Sequence, residues 1–228
     1  MDFVFTPPAI PAVPISGCET LFPVHRIYCV GRNYSDHVKE MGGDPKKEPP
    51  VFFSKPASAI VTDNQNIPYP QATNDLHHEV ELVIALSSGG KNILLESAED
   101  CVFGYAVGID FTRRDLQAIA KSNGRPWDVA KGFDDSAPIS AIKPVSECSL
   151  NASTEISLEV NGAVRQQATL GEMIWSIPEI ICALSKFYEL KAGDLIYTGT
   201  PAGVAAVGAG DSLQASLQGG AELKFELS

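Results

Sequence analysis

The chain has 228 residues, of which 44% are hydrophobic and 20% charged. That length and apolar share are enough to bury one substantial core, and they exclude wholesale disorder. With 17 Lys and Arg against 28 Asp and Glu, the formal charge is −11; this speaks against nucleic acid or an anionic membrane as partner, and an anionic ligand would need a local positive site.

Residues 1–24 read as a proline-rich arm, because Pro7, Pro8, Pro11 and Pro14 disfavour helix. Residues 25–228 read as a single domain. Strands are predicted over Arg26–Val30, Val51–Phe53 and Ser58–Val61, each cut by Gly, Pro or Asn. The longest apolar runs, Glu79–Leu86 and Phe103–Ile109, are the central strand candidates. Glu155–Val160 and Ala163–Gln167 flank Asn161-Gly162, the signature of a tight hairpin. Asp194–Tyr197, Ser212–Leu217 and Ala221–Glu226 complete the strands.

Three helices are predicted. Asp36–Met41 is stopped by Gly42-Gly43. Arg113–Lys121 follows Thr112, which has capping-box spacing to Asp115. Ile177–Glu189 has Ser176 as N-cap, Pro178 in its first turn and Glu179 at the box position. Ile180, Ile181, Leu184, Phe187 and Tyr188 would form its apolar face.

The five cysteines are odd in number, scattered and without a CxxC pair. They point to reduced thiols in the cytoplasm, neither a disulfide framework nor a zinc site. No apolar run approaches a membrane span, and the N-terminus lacks the basic region of a signal peptide.

The most informative stretch is His77-His78-Glu79-Val80-Glu81-Leu82-Val83-Ile84-Ala85-Leu86. On a strand, residues two apart share a face, so Glu79 and Glu81 point the same way beside a core. Two such carboxylates repel each other and resist desolvation, and a cation answers both problems. Asp110, after the run Tyr105–Ile109, can supply a third oxygen. Three carboxylates without thiolates suit a hard ion, Mg²⁺ or Mn²⁺. The same spacing also fits a solvated strand face with Asp110 capping a helix. His77 and His78 remain further ligand candidates, though a strand puts them on opposite faces.

His37 and Glu40, three apart on a short helix, can form an imidazole–carboxylate general base or a surface ion pair. Arg32, Gln117, Lys131 and Thr200, the last in Thr198-Gly199-Thr200-Pro201, are candidates for holding an anion. Each also admits a structural reading. Arg113, Arg114 and Arg125 read as solvated, although Arg114 and Gln117 share a helical face.

Seven blocks recur in order: Val30-Gly31-Arg32-Asn33-Tyr34, Asp36-His37 with Glu40-Met41, Leu76 to Leu82, Gly108-Ile109-Asp110, Arg114 to Gln117, Ala130-Lys131-Gly132-Phe133, and Thr198-Gly199-Thr200-Pro201. Together they resemble the fumarylacetoacetate hydrolase family. The resemblance implies an α+β, β-rich fold, a mixed β-sandwich roll with a few short helices, usually a homodimer. It implies Mg²⁺ or Mn²⁺ held by Glu79, Glu81 and Asp110, catalysis by His37, Glu40 and Lys131, and substrate contacts from Arg32, Gln117 and Thr200. Phe5 to Pro11 and Glu48 to Pro56 are most similar to the bacterial fumarylpyruvate hydrolase branch. The implied reaction is hydrolytic C–C cleavage of a 2,4-dioxo acid, with 3-fumarylpyruvate as the expected substrate. An oxaloacetate decarboxylase or a 2-oxo acid isomerase/decarboxylase on the same scaffold is the alternative, and a non-catalytic 2-oxo acid binder a remote one. The short arm departs from family members with a large extra N-terminal domain, which argues against fumarylacetoacetate itself as substrate.

Overall fold

The computed structural model describes residues 3–36, 49–62 and 64–228. Its centre is a six-stranded mixed sheet in the order Lys143–Pro144, Val102–Ile109, Val80–Leu86, Asp194–Tyr197, Arg26–Gly31, Val51–Lys55. Neighbours are antiparallel except Asp194–Tyr197 and Arg26–Gly31, which run parallel. Every residue of Val80–Leu86 is buried, so the strand carries an unbroken apolar run in place of a half-polar alternation.

One side of that strand faces a four-stranded antiparallel sheet, ordered Ala163–Thr169, Glu155–Val160, Ser212–Leu217, Ala221–Glu226. Leu82, Val107 and Ile109 there share a core with Leu158, Leu213, Leu223 and Phe225. Farther along, Ile84 and Leu86 pack on Ile180, Ile181 and Leu184 of a helix. The opposite side, with Val83 and Ala85, packs on Ile139, Ile142, Val13 and Phe22. The architecture is thus α+β and strand-rich, with short helices α1 (Arg114–Ser122), α2 (Asp128–Lys131) and α3 (Ile177–Leu184) among the described residues.

The hairpin forms as expected: Asn161 and Gly162 both have positive φ, 54° and 75°, and Glu155–Val160 pairs with Ala163–Thr169 through a bulge at Leu158/Glu159. Within the proline-rich segment, Ala12–Pro14 and Leu21–Pro23 pair with each other and bury Val13 and Phe22. Exchange of hydrogen bonds with Ile142 ties this hairpin to the chain's own body.

Several local expectations are corrected. Ser58–Val61 is a 3-10 turn over Ala57–Ala59 followed by the short strand Ile60–Val61. Thr112 does not cap α1. The N-cap is Arg113; the Thr112 hydroxyl faces Asp110 O and Lys131, and Asp115 accepts from Thr73 Oγ1 at 2.7 Å and from Asn74 N. Helix α3 keeps its Ser176–Glu179 capping box but stops at Leu184. Its C-cap, Ser185, is engaged by the 90s loop: Asn92 N donates to Ser185 O, and Ile93 N to its hydroxyl. Phe187 and Tyr188 therefore leave the helical face and lie against Phe52 and Tyr28 instead. The predicted helix Asp36–Met41 lies almost wholly outside the described residues.

Candidate active site

Glu79 directly precedes the strand Val80–Leu86, and Glu81 is its second residue. Val80 pairs with Ile109, which draws Asp110 alongside, and Asp110 N–H donates to Glu79 O at 2.8 Å. Pairing opposite Glu81 falls on Gly108, where a Cβ would sit 2.7 Å from the Tyr197 ring. Glycine there lets the buried tyrosine pack across the sheet beside the acids. One oxygen from each of Glu79, Glu81 and Asp110 lies within 4.8 Å of the others, and all three residues are buried. The sequence names all three acids as candidates; strand pairing is what brings Asp110 beside the Glu79–Glu81 pair.

Three cations surround them. Lys131 Nζ donates to Glu79 Oε2 at 2.8 Å, Asp110 Oδ2 at 2.6 Å and Thr112 Oγ1 at 2.6 Å. Lys55 Nζ lies 2.8 Å from Asp110 Oδ1 and donates to Phe111 O at 3.1 Å and to Lys131 O. The Lys55–Asp110 approach is a charge contact; Asp110 Oδ1 makes no well-directed hydrogen bond. Arg114 donates to Glu79 Oε1 and, at 2.5 Å, to Gln117 Oε1. Burial alone would raise the Glu79 pKa, but Lys131 and Arg114 outweigh it and hold the carboxyl well below its ordinary range. Burial likewise opposes charge on Lys131, yet Asp110 and Glu79 raise its pKa, so it is an ammonium.

Glu81 is different. It is 1% exposed, and its one hydrogen bond among the described residues is from Gly199 N–H, at 2.8 Å. It has no ion pair to a cation among the described residues. Burial first, then the Asp110 and Glu79 charges, push its pKa well up. A buried carboxylate so placed holds a proton unless a cation joins it. The donor set is all hard oxygen, which fits Mg²⁺ or Mn²⁺. Fully ionised, the three acids balance Lys55, Lys131 and Arg114; a divalent ion would leave two positive charges for an anionic ligand.

The pocket over this cluster is lined by Arg32, Gln117, Lys131 and Thr200 along with Glu79 and Glu81. Four candidates from distant segments thus converge. Arg32 has φ of 61° just after the strand Arg26–Gly31, a conformation non-glycine residues seldom adopt and one found at functional sites. Phe53 and Trp127, rings 5.7 Å apart, form an apolar wall. His37 and Glu40 lie outside the described residues.

Neither histidine belongs to the acidic group. His77 contacts Asp75 and Arg114, and His78 is buried against Gln166. Burial lowers both imidazole pKa values. Arg114, expected in solvent, lies instead against Glu79, and Lys55 is a site residue that the sequence reading misses. Lys55 closes an apolar strand, and Arg114 shares the Gln117 face; each was a readable signal, but neither pattern names Asp110 or Glu79 as the partner. Arg113, also expected in solvent, stacks 4.2 Å from the Phe133 ring centroid.

The family model described as fumarylacetoacetate (FAA) hydrolase, C-terminal, matches residues 26–228. A crystal structure of fumarylpyruvate hydrolase from Pseudomonas aeruginosa, in complex with Mn²⁺ and pyruvate, superposes with a TM-score of 0.97 at 46% identity, covering 99% of both chains. Oxaloacetate tautomerase YcgM of Escherichia coli K12 is 41% identical over 87% of this chain and 90% of its own length. A fumarylpyruvate hydrolase from a Ralstonia species is 40% identical over 80% of this chain and 94% of its own.

Proposed function

The chain belongs to the fumarylacetoacetate hydrolase family, and from that premise we propose that it hydrolyses an acylpyruvate, 3-fumarylpyruvate, to fumarate and pyruvate. The observation that carries this reading is the convergence of Arg32, Gln117, Thr200 and Lys131 on a buried group of three acids, one of which, Glu81, has no cation partner among the described residues. The near-complete superposition on the Pseudomonas aeruginosa fumarylpyruvate hydrolase supports the choice of acyl group.

Glu79, Glu81 and Asp110 would hold Mg²⁺ or Mn²⁺, which when bound supplies Lewis-acid polarisation of a chelating 2-oxo acid. Arg32, Gln117 and Thr200 orient the carboxylate end of the substrate. His37, backed by Glu40, takes a proton from water, which attacks the C4 carbonyl. The C3–C4 bond then breaks, its electron pair leaving as pyruvate enolate. Lys131, an ammonium beside the acids, stabilises that developing negative charge. Protonation at C3 and release of fumarate and pyruvate complete the cycle. Phe53 and Trp127 limit water at the pocket wall. A homodimer is the proposed assembly.

Oxaloacetate tautomerisation is the second reading, favoured by the Escherichia coli relative. Enol–keto exchange needs proton movement at C3 and no attacking water, so Lys131 and the substrate-holding residues suffice. Initial rates on fumarylpyruvate, acetylpyruvate and enol-oxaloacetate, with and without Mn²⁺, separate the two. The hydrolase reading expects His37→Ala to abolish C–C cleavage while oxalate still binds. Faster turnover of enol-oxaloacetate than of fumarylpyruvate, untouched by His37→Ala, would overturn it in favour of the tautomerase.

A further inference from the structure

Behind Thr200 lies a fully buried side chain that the mechanism above does not use. Gln166, on the hairpin strand Ala163–Thr169, is 1% exposed, and each side of its amide is occupied. Its Oε1 accepts from Val80 N–H at 3.0 Å and lies 2.9 Å from His78 Nδ1. Its Nε2 donates to Pro201 O at 2.9 Å and to Thr200 Oγ1 at 2.8 Å.

These partners leave the amide one orientation. Val80 N–H can only donate and Pro201 O can only accept, so a flipped amide would set donor against donor and acceptor against acceptor. His78 must then carry its hydrogen on Nδ1, because it faces an oxygen. Thr200 Oγ1 must accept from Gln166, so its own hydrogen is left to donate elsewhere. Thr200 lines the pocket, and its hydroxyl hydrogen has no acceptor among the described residues.

We propose that Gln166 is a positioning residue that locks the Thr200 hydroxyl as a hydrogen-bond donor into the pocket, so that this position selects an anionic or carbonyl oxygen of the ligand. The inference rests on the reading of the pocket as a 2-oxo acid site. The chain's backbone source matters here. Val80 lies between Glu79 and Glu81, so one peptide strand places two acids and also sets the polarity of the hydroxyl facing them.

The test is a double-mutant cycle on the Mn²⁺-loaded protein, read as oxalate affinity by calorimetry, with KM and kcat measured alongside. Thr200→Val removes the donor. In Gln166→Glu, a carboxylate accepts where the amide donated, so the Thr200 hydrogen turns away from the pocket. Each single variant is expected to weaken oxalate binding roughly 10- to 100-fold, the range for a hydrogen bond to a charged group. The double variant is expected to lose no more than either single one, because both remove the same donor. Thr200→Ser is expected to bind within about threefold of wild type. Should Gln166→Glu not fold by thermal melting, Gln166→Met, which unlocks the hydroxyl without turning it away, is expected to weaken oxalate binding less than Thr200→Val does and to add nothing to it in the double variant.

Losses that multiply in the double variant, or a Gln166 variant binding oxalate as wild type does, overturn the inference while leaving the 2-oxo acid reading intact. Wild-type protein that takes up Mn²⁺ but no oxalate overturns both.

Discussion

Lys55→Met tests the charge arrangement around Asp110. Lys55 is 2% exposed, and its ammonium touches Asp110 Oδ1, Phe111 O and Lys131 O. Methionine keeps the length and apolar stem but not the charge. Removing one partner of a buried pair costs about 3–5 kcal/mol. Asp110 keeps Lys131 at 2.6 Å, so the lower end applies, about 3 kcal/mol. For a chain of this length, each kcal/mol moves Tm by about 2–4 °C, which gives a drop of roughly 6–12 °C in chelator-treated protein. A divalent ion supplies positive charge to the same carboxylate. The Mn²⁺-induced rise in Tm should therefore be larger in the variant than in wild type. Calorimetric melts with and without Mn²⁺ measure both quantities. A metal-free Tm within about 2 °C of wild type, or a smaller Mn²⁺ shift in the variant, would refute the idea that Asp110 depends on this lysine.

Five further outcomes are expected. In chelator, the folded state keeps a proton on Glu81 above the ordinary value of 4.5, so it binds more protons than the unfolded chain. Its contribution is present below that value and is lost as pH rises; Mn²⁺ should abolish the decline in melts taken between about pH 5 and 9. Glu79, held low by Lys131 and Arg114 despite its burial, contributes in the opposite sense, and stability should fall on acidification below about pH 4. Gly199→Ala would put a Cβ 2.7 Å from Asn33 Cβ and 3.0 Å from Val30 O at a φ of +99°. About 2–5 kcal/mol of stability should be lost, together with Mn²⁺ affinity measured by calorimetry, because Gly199 N–H holds Glu81. Arg114→Lys keeps the charge but not the fork that joins Glu79 to Gln117; kcat/KM should fall roughly 10- to 100-fold, with Tm within a few degrees of wild type. By contrast, Ile84→Ala, at a fully buried position facing α3, should cost about 2–5 kcal/mol in denaturant unfolding and leave Mn²⁺ affinity unchanged.

The strand-rich α+β class was legible in the chain. The strands Asp194–Tyr197, Ser212–Leu217 and Ala221–Glu226 lie where their apolar patterns put them, and the Asn161-Gly162 turn forms. Short-range chemistry decides such elements: turn residues, period and capping act within a few positions. So does the common side of Glu79 and Glu81, since alternation along a strand needs no knowledge of its neighbours. Where a tertiary partner competes for a local group, the local rule loses. Thr112 faces Asp110 O and Lys131 and caps no helix, and Ser185, engaged by residues 92 and 93, ends α3 before Phe187.

What the sequence determined alone was the overall acidity and a set of candidates: hard oxygen donors for a metal and side chains able to hold an anion. Only the folded chain decided which charges meet. Lys55 and Asp110 are 55 positions apart and belong to segments that are not neighbours in the sheet, yet their side chains touch. Gln166 reaches Thr200 only because the hairpin lies under the loop that follows Asp194–Tyr197. Charge and hydrogen-bond direction act through space over a few ångströms, and distance along the chain carries no record of them.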